Sequence, residues 1–379
     1  MANILLLSHY ALPHLGGIEV VVDALAREFV ALGHQVTHIS ADTKVAREQP
    51  VEQVSPPPYE IIRVPALNLL ENKLGVPWPI FDPRLLPRLF QALRTADVVH
   101  AHGMLYLPSA LGLLWAKKGR HARILTEHVG HVPYENPFVD RIEKIAIASI
   151  GRAAARSADA ITVLNEKVRA EMAALAPGTR CVHIPNGVDM EKYHPPTPGE
   201  HWRLRAALGW DQTPRLLFVG RLVKKKGIDF ALATAKRLHG RAHLVVVGPG
   251  GLVPDLNVEY LGPLPPRQVA ELYRAADLFF LPSQGEGFPL TAQEAMASGL
   301  PVILAEDKAY EPYLGGGMQT APRDPRALAA AIETWLDPVE RANAGKAASQ
   351  RAQRDFSWRV AARSYLALYD EIRSAHRPR

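Results

Sequence analysis

The chain has 379 residues, 47% of them hydrophobic and 22% charged, and a net charge of +6. That length implies two cores rather than one, and the composition excludes a disordered or fibrous chain. A single cysteine, Cys181, excludes an internal disulfide, no apolar run approaches the roughly 20 residues of a membrane span, and the mild basic excess is no nucleic-acid footprint.

Asn3–Ser8 reads as a first strand, entered without the charged start and cleavage site of a signal peptide, so a cytoplasmic location is expected. The loop His9–Gly17 holds the pair Gly16 and Gly17 and leads into a helix over Ile18–Leu32. It lacks the full G-x-G-x-x-G fingerprint, which disfavours a dinucleotide site. Gln35–Ser40 and Tyr59–Val64 read as the next strands, separated by the polar, proline-rich stretch Asp42–Pro58. Residues 67–83, with several prolines and Trp78, read as irregular; loops of this kind beside a sheet's carboxyl edge are where an acceptor would be read.

Asp97–His102 and Arg123–His128 continue a pattern of strands alternating with helices, which predicts a doubly wound parallel sheet. His100, His102, His128 and His131 fall near strand ends. Their spacing is loose and no local cysteine or carboxylate cluster supports it, so zinc is disfavoured. Arg141–Ala158 reads as a long helix with Arg and Lys on a solvated face rather than as a membrane anchor. Strands at Ala160–Asn165 and Arg180–Ile184 precede the turn Pro185–Asp189, and prolines at 195, 196 and 198 suit a stiff linker.

The pattern then restarts. Arg215–Arg221 is a strand ending in an arginine, Lys226 and Gly227 follow, and Ile228–Leu238 reads as a helix. His243–Gly248 and Val258–Gly262 are strands and Gln268–Ala275 a helix. Leu278–Leu281 is a short apolar run, the mark of a buried parallel strand. Pro282–Gly287 carries turn residues, Pro289 fits the first helical position, and Gly299 with Pro301 ends the helix. Glu286 and Glu294 bracket this helix start, whose free N–H groups and positive dipole end suit a phosphate. Carboxylates accept hydroxyls, so the unit points to a ligand with phosphates in its middle and hydroxyls at both ends, the layout of a nucleotide sugar. Pro325–Trp335 reads as a helix, and Phe356–Tyr369 is amphipathic.

Glu286 and Glu294, seven residues between them, followed by Ala295–Val302, resemble the signature of the family 4 glycosyltransferases of GT-B fold. The resemblance extends in order along nearly the whole chain. It implies two Rossmann-like doubly wound α/β domains facing a cleft. Residues 1–190 would bind the acceptor, 191–355 the nucleotide sugar, and 356–379 would form a helix that crosses back onto the first domain. It implies Arg221 and Lys226 on the donor diphosphate, Glu294 on the ribose and Glu286 on the transferred sugar. Gly16 and Gly17, with Glu19 beside them, would allow backbone approach to donor and acceptor. His128 would face the donor sugar, with His131 as the competing candidate. Because Pro289 has no N–H, diphosphate donors would be neighbouring amides such as Phe288, Leu290 and Thr291, beside Gly287. One departure concerns local donor contacts: Gly248–Gly251 reads Gly-Pro-Gly-Gly where the family usually has Gly-Asp-Gly-Pro.

The function so implied is retaining transfer of a hexose-type sugar from a UDP- or GDP-sugar to a hydroxyl acceptor, with no cofactor beyond the nucleotide-sugar co-substrate. No Asp-x-Asp occurs, and two preplaced cations can stabilise the leaving diphosphate, so no metal is expected. The acceptor would be a glycan, a lipid or a small molecule; nucleic acid is not a partner, and peripheral contact with the inner face of a membrane stays open. The alternatives are a GT-B-fold nucleotide-sugar epimerase, a non-catalytic glycosyltransferase-like partner subunit and a Rossmann oxidoreductase. The last is disfavoured by the missing glycine fingerprint.

Overall fold

The computed structural model describes residues 1–14, 16–42, 56–74, 76–131, 136–251, 257–285 and 288–376. The chain divides into two compact units, Met1–Pro185 with Trp358–Arg379, and Asn186–Ser357. The first division follows Pro185 because Val188 donates its N–H to the Phe356 carbonyl (2.6 Å), which ties the Asn186–Asp189 turn to the second unit.

The first unit is built on β1 (Asn3–Leu7), β2 (Gln35–Asp42), β3 (Glu60–Leu67), β4 (Ile80–Phe81), β5 (Val98–His102), β6 (Ala122–Glu127), β7 (Ala160–Val163) and β8 (Arg180–His183). They pair in the order β4-β3-β2-β1-β5-β6-β7-β8, parallel throughout except for β3 with β4. β1, β5, β6 and β7 lie inside the sheet and are buried almost entirely, which is why they read as near-continuous apolar runs. The order reverses between β1 and β5. Their following loops therefore diverge and leave a crevice at the strands' carboxyl ends, where ligands of such sheets bind.

The closing helix, Trp358–Ala375, belongs to this unit and packs on the first helix, Gly17–Ala31, and on β6. Its buried face carries Tyr365, Leu368, Tyr369 and Ile372. Tyr365 reaches the hydroxyls of Thr126 (3.1 Å) and Thr162 (3.4 Å), and Tyr369 reaches His100 Nδ1 (2.6 Å).

Two local expectations are corrected here. The stretch 67–83, read as irregular, contains a helix, Leu69–Leu74, and the edge strand β4. Its prolines at 77 and 79 precede β4, where they take no ladder hydrogen bond from the sheet. The long helix expected over Arg141–Ala158 is an α-helix Pro137–Ala146, a π turn Ile147–Gly151 and a short helix Arg152–Ala155. It starts early because the Asn136 side chain accepts the Phe138 and Val139 N–H groups and Pro137 takes the first helical position.

The second unit carries β9 (Arg215–Val219), β10 (His243–Val247), β11 (Val258–Gly262), β12 (Leu278–Leu281), β13 (Val302–Ala305) and β14 (Met318–Ala321). All pairings are parallel, in the order β11-β10-β9-β12-β13-β14, so the reversal falls between β9 and β12. β12 is fully buried. Pro289 proves to be the N-cap, not the first helical residue: its ψ of 131° is extended, and the helix runs Leu290–Ala297.

Candidate functional site

In the second unit, the loops after β9 and β12 are fastened to each other at the reversal. Lys224–Lys226 form one 3-10 turn that Gly227 closes at φ 78°. A Cβ on Gly227 would lie 2.1 Å from the Pro282 carbonyl oxygen, so only glycine lets the two loops meet. Gln284 donates its N–H to the Lys225 carbonyl (3.0 Å). Arg323 spans both loops, donating to Pro282 O (3.1 Å), Gln284 Oε1 (2.8 Å) and Lys224 O (2.9 Å). On this braced turn Arg221 is exposed and Lys226 half-buried. Two cations thus stand at the carboxyl end of β9.

The helix Leu290–Ala297 begins across the same reversal. Phe288 is buried and stacks on Tyr313 at 3.9 Å, which fixes the chain's entry. The Ala292 and Gln293 N–H groups turn back to the Pro289 carbonyl, so the Leu290 and Thr291 amides head the helix. Among the described residues the buried Thr291 hydroxyl has no hydrogen-bond partner, the kind of group a ligand oxygen satisfies. One turn on, Tyr273 donates its hydroxyl to Glu294 Oε2 (3.0 Å) and also lies 3.1 Å from the Thr291 carbonyl. Burial raises the Glu294 carboxyl above its usual range, while hydrogen bonds from Tyr273 and Tyr193 and the Lys192 charge hold it back. A carboxylate so pinned presents a fixed acceptor for sugar hydroxyls. Glu286 and Gly287 lie outside the described residues.

The first unit gathers a polar cluster at its own reversal. His9, just past β1, stacks on Tyr106 with ring centroids 3.8 Å apart. Glu19 Oε1 lies 3.5 Å from His9 Nε2 and 3.3 Å from His14 Nδ1, and Glu71 Oε1 lies 3.6 Å from His14 Nε2. Tyr10 donates to Glu71 Oε2 (2.5 Å). A Cβ on Gly16 would sit 2.2 Å from Glu19 Oε2, so this glycine makes room for the folded-back carboxylate. Gly17 meets no such neighbour and opens the first helix. Burial pushes His9 down to about 3, helped by the nearby His14, His128 and His38. Its 3.5 Å approach to Glu19 is therefore that of a neutral ring, not an ion pair. Burial also pulls His14 down, but the Glu19 and Glu71 carboxylates outweigh it and hold His14 above its ordinary value.

His128 joins this edge. It follows β6 directly, and its Nε2 lies 3.1 Å from His102 Nδ1. Burial pushes His128 down to about 4 and holds His102 well below its usual value, so the pair is neutral, one ring donating and the other accepting. His131 is placed otherwise. Its Nδ1 lies 2.8 Å from Glu143 Oε2 and its Nε2 3.4 Å from Asp140 Oδ1. The fold thus brings to His131 the carboxylates that no local cluster in the sequence suggested. Among the described residues this trio could crowd its ligand atoms within 4.8 Å around an ion, but both ring nitrogens already have carboxylate partners.

Residues 15–192 match the family described as Glycosyltransferase Family 4, and residues 213–338 match Glycosyl transferases group 1. The D-inositol 3-phosphate glycosyltransferase of Nocardia farcinica is 30% identical, over 82% of this chain and 72% of its own. The chain belongs to the family 4 glycosyltransferases. The glycogen synthase of Mycobacterium tuberculosis is 28% identical to it, over 72% of this chain and 68% of its own. Among solved structures, sucrose-phosphate synthase from Thermosynechococcus elongatus superposes with a TM-score of 0.76 at 23% identity, covering 99% of this chain and 100% of that one. Anabaena HepE in complex with UDP-glucose superposes at 0.71 with 18% identity, covering 99% of each. These likenesses show the GT-B fold. The protein is a glycosyltransferase that works on a nucleotide sugar.

Several residues of this glycosyltransferase that the geometry brings forward carry no signal in the sequence. Arg323 is a lone arginine after Pro322, and Tyr273 is one position on an amphipathic helix. His9, Glu71 and Tyr106 are scattered along the chain, although His9 could have been flagged as the residue next to the end of a central strand.

Proposed function

We propose that this enzyme transfers a hexose-type sugar from a UDP- or GDP-sugar to a hydroxyl acceptor, with retention and without a metal. The second unit takes the donor and the first the acceptor. Arg221, Lys226 and the Leu290 and Thr291 amides hold the diphosphate, with Gly287 and Phe288 next to them in the chain. Glu294 accepts ribose hydroxyls, and Glu286 the hydroxyls of the transferred sugar. His128, in the first unit, is the residue for the donor sugar, and Gly16 and Gly17 give backbone approach to donor and acceptor. The acceptor oxygen bonds to the anomeric carbon, the bond from that carbon to the diphosphate oxygen breaks on the same face, and the hydroxyl proton leaves on the diphosphate. Charge grows on the leaving group in this step, and fixed cations stabilise it there.

The reading rests on one observation above all. Two cations after β9 and, after β12, a helix with a buried hydroxyl at its start and a tyrosine-held carboxylate one turn on stand at one strand-order reversal, whose loops are bonded to each other. The UDP and UDP-glucose named for the HepE structures favour a uridine donor.

The same reading places the enzyme in the cytoplasm, in peripheral contact with an anionic membrane face. Among the described residues no helix is long and apolar enough to cross a membrane. The helix Pro137–Ala146 and the turn after it, expected to be simply solvated, expose Phe138 (71%), Ile142, Ile145 and Ile150 between Arg141, Lys144 and Arg152. Apolar side chains flanked by cations suit a negatively charged lipid surface.

The test is a thermal-shift panel of uridine, guanosine and adenosine diphosphates and their sugars, without metal, on wild type and Glu294→Ala. At a hundredfold excess over Kd one nucleotide class should stabilise the wild type by about 2.7 kcal/mol, roughly 5–10 °C, and the variant far less. No stabilisation by any nucleotide would sink the donor assignment. Turnover lost in excess chelator and restored by a divalent ion would sink the metal-independent step, and an inverted product by proton NMR would sink retention.

A further inference from the structure

Beside the His9 cluster the first unit holds a pocket of about 270 Å³, lined by Leu70, Trp78, Phe81, Leu105, Tyr106 and Leu107. Its lining is almost wholly apolar, yet its rim is open to water: Ile80 is 48% and Leu107 44% exposed. Leu67, in register with Ile80 across β3 and β4, is 60% exposed. Apolar surface left uncovered around an apolar pocket marks a binding surface.

The pocket is continuous with the polar cluster at two points. Tyr106 lines the pocket with its body and stacks on His9. Leu70 lines the pocket, and its chain neighbour Glu71 holds Tyr10 and lies beside His14. The site is thus polar at one end and dry at the other, at the reversal between β1 and β5.

We propose that the acceptor is amphipathic: a hydroxyl-bearing head on the His9, His14, Glu19 and Glu71 cluster, and an alkyl or aromatic body in the pocket. This rests on the reading of the first unit as the acceptor side. Among the described residues the pocket lining carries no cation, so nothing there favours an acceptor's phosphate. Its volume exceeds the roughly 150 Å³ of a dry cavity that holds benzene, so a body larger than one ring fits. The hydroxyl of the head attacks the anomeric carbon of the nucleotide sugar, the nucleoside diphosphate leaves, and the product is a glycoside still carrying its apolar body.

The experiment has two arms on the full chain. In the first, methyl, butyl, hexyl and octyl β-D-glucosides are titrated against the fluorescence of the protein, with no donor present. Affinity should rise roughly two- to fourfold per methylene until the pocket is filled. In Leu107→Asp, at a half-exposed position that tolerates a charge, that gain per methylene should vanish. In the second arm, release of nucleoside diphosphate from UDP-glucose and GDP-mannose is followed with the same series and with inositol phosphate. KM should fall along the alkyl series and inositol phosphate should be the poorer acceptor. Binding that ignores chain length, a gain that survives in Leu107→Asp, or a preference for inositol phosphate would each overturn the proposal. A chain-length gain in the first arm without turnover in the second would instead count against the transfer reading and leave the apolar pocket supported.

Discussion

Arg323 is one side chain serving three acceptors on two loops, and this makes it a positioning residue for the proposed donor site. Removing it frees the turn that carries Arg221 and Lys226. Arg323→Ala should raise the nucleotide Kd about tenfold, about 1.4 kcal/mol, by calorimetric titration. Arg323→Lys should recover little, because an ammonium cannot reproduce the planar fork. Wild-type affinity in the alanine variant would show that the loops are braced by other contacts. Arg205 is a second such case, for stability. It is 2% exposed and donates to Asp277 Oδ2 (2.6 Å) and to the carbonyls of Ala275 (3.2 Å) and Thr213 (2.8 Å). Asp277 keeps the Arg215 N–H (2.8 Å) and Arg341 (3.5 Å) when Arg205 is lost. Arg205→Leu should therefore cost about 3 kcal/mol, the low end for a broken buried pair, in urea unfolding. Neither arginine was legible, because nothing local distinguishes it from a surface arginine. Glu294, Arg221 and Lys226 were legible, because they sit in short motifs whose spacing survives in the sequence.

At the scale of elements, the closing helix is fastened by two phenols of unequal weight. Tyr369→Phe leaves the buried His100 Nδ1 without its partner and should cost about 1–3 kcal/mol. Tyr365→Phe should cost less, because Thr126 and Thr162 keep each other at 2.5 Å. Paired denaturation curves would check the order, and equal costs would contradict it. The amphipathic pattern of this helix was legible, but its target was not, since Tyr369 and His100 are 269 residues apart in the chain. The helix Pro137–Ala146 makes the complementary case. Its cations were read correctly, yet the exposure of Phe138 and Ile145 depends on what the fold leaves uncovered. Phe138→Ser with Ile145→Ser should weaken co-sedimentation with phosphatidylglycerol vesicles by more than about a hundredfold, at about 1.5–3 kcal/mol per buried side chain. Wild-type binding should also fall at high salt, and equal binding to neutral and anionic vesicles would contradict the charge argument.

On the scale of the whole molecule the buried histidines set the response to acid. His9, His38, His100, His102 and His128 all lie in the first unit, and burial holds each below its ordinary value. Below about pH 6.5 the unfolded chain binds protons that these folded sites refuse, so stability is full above that pH and falls as the pH drops toward 4. Each site contributes a slope of about 1.4 kcal/mol per pH unit. His14, raised by its carboxylates, has the opposite sign: its contribution is present below about pH 6.5 and is lost as the pH rises through its folded value. His34 and His183 are lowered as well, and among the described residues of this unit only His14 and Glu127, both raised, oppose them, so the net is acid destabilisation, and scanning calorimetry at pH 5 should show the first unit melting well before the second. A single transition unmoved between pH 7 and 5 would contradict this. By itself the sequence determined the alternation of strands and helices, the limits of β11 and β12 to the residue, and the motifs of the donor half. Those features are written in consecutive residues, where apolar period and turn chemistry act locally. Only the tertiary structure decided that Gly227 meets Pro282, that His128 rather than His131 pairs with His102, and that an apolar pocket adjoins Glu71. Each of these depends on strand order, which brings together residues far apart in the chain, and local periodicity carries no record of that order.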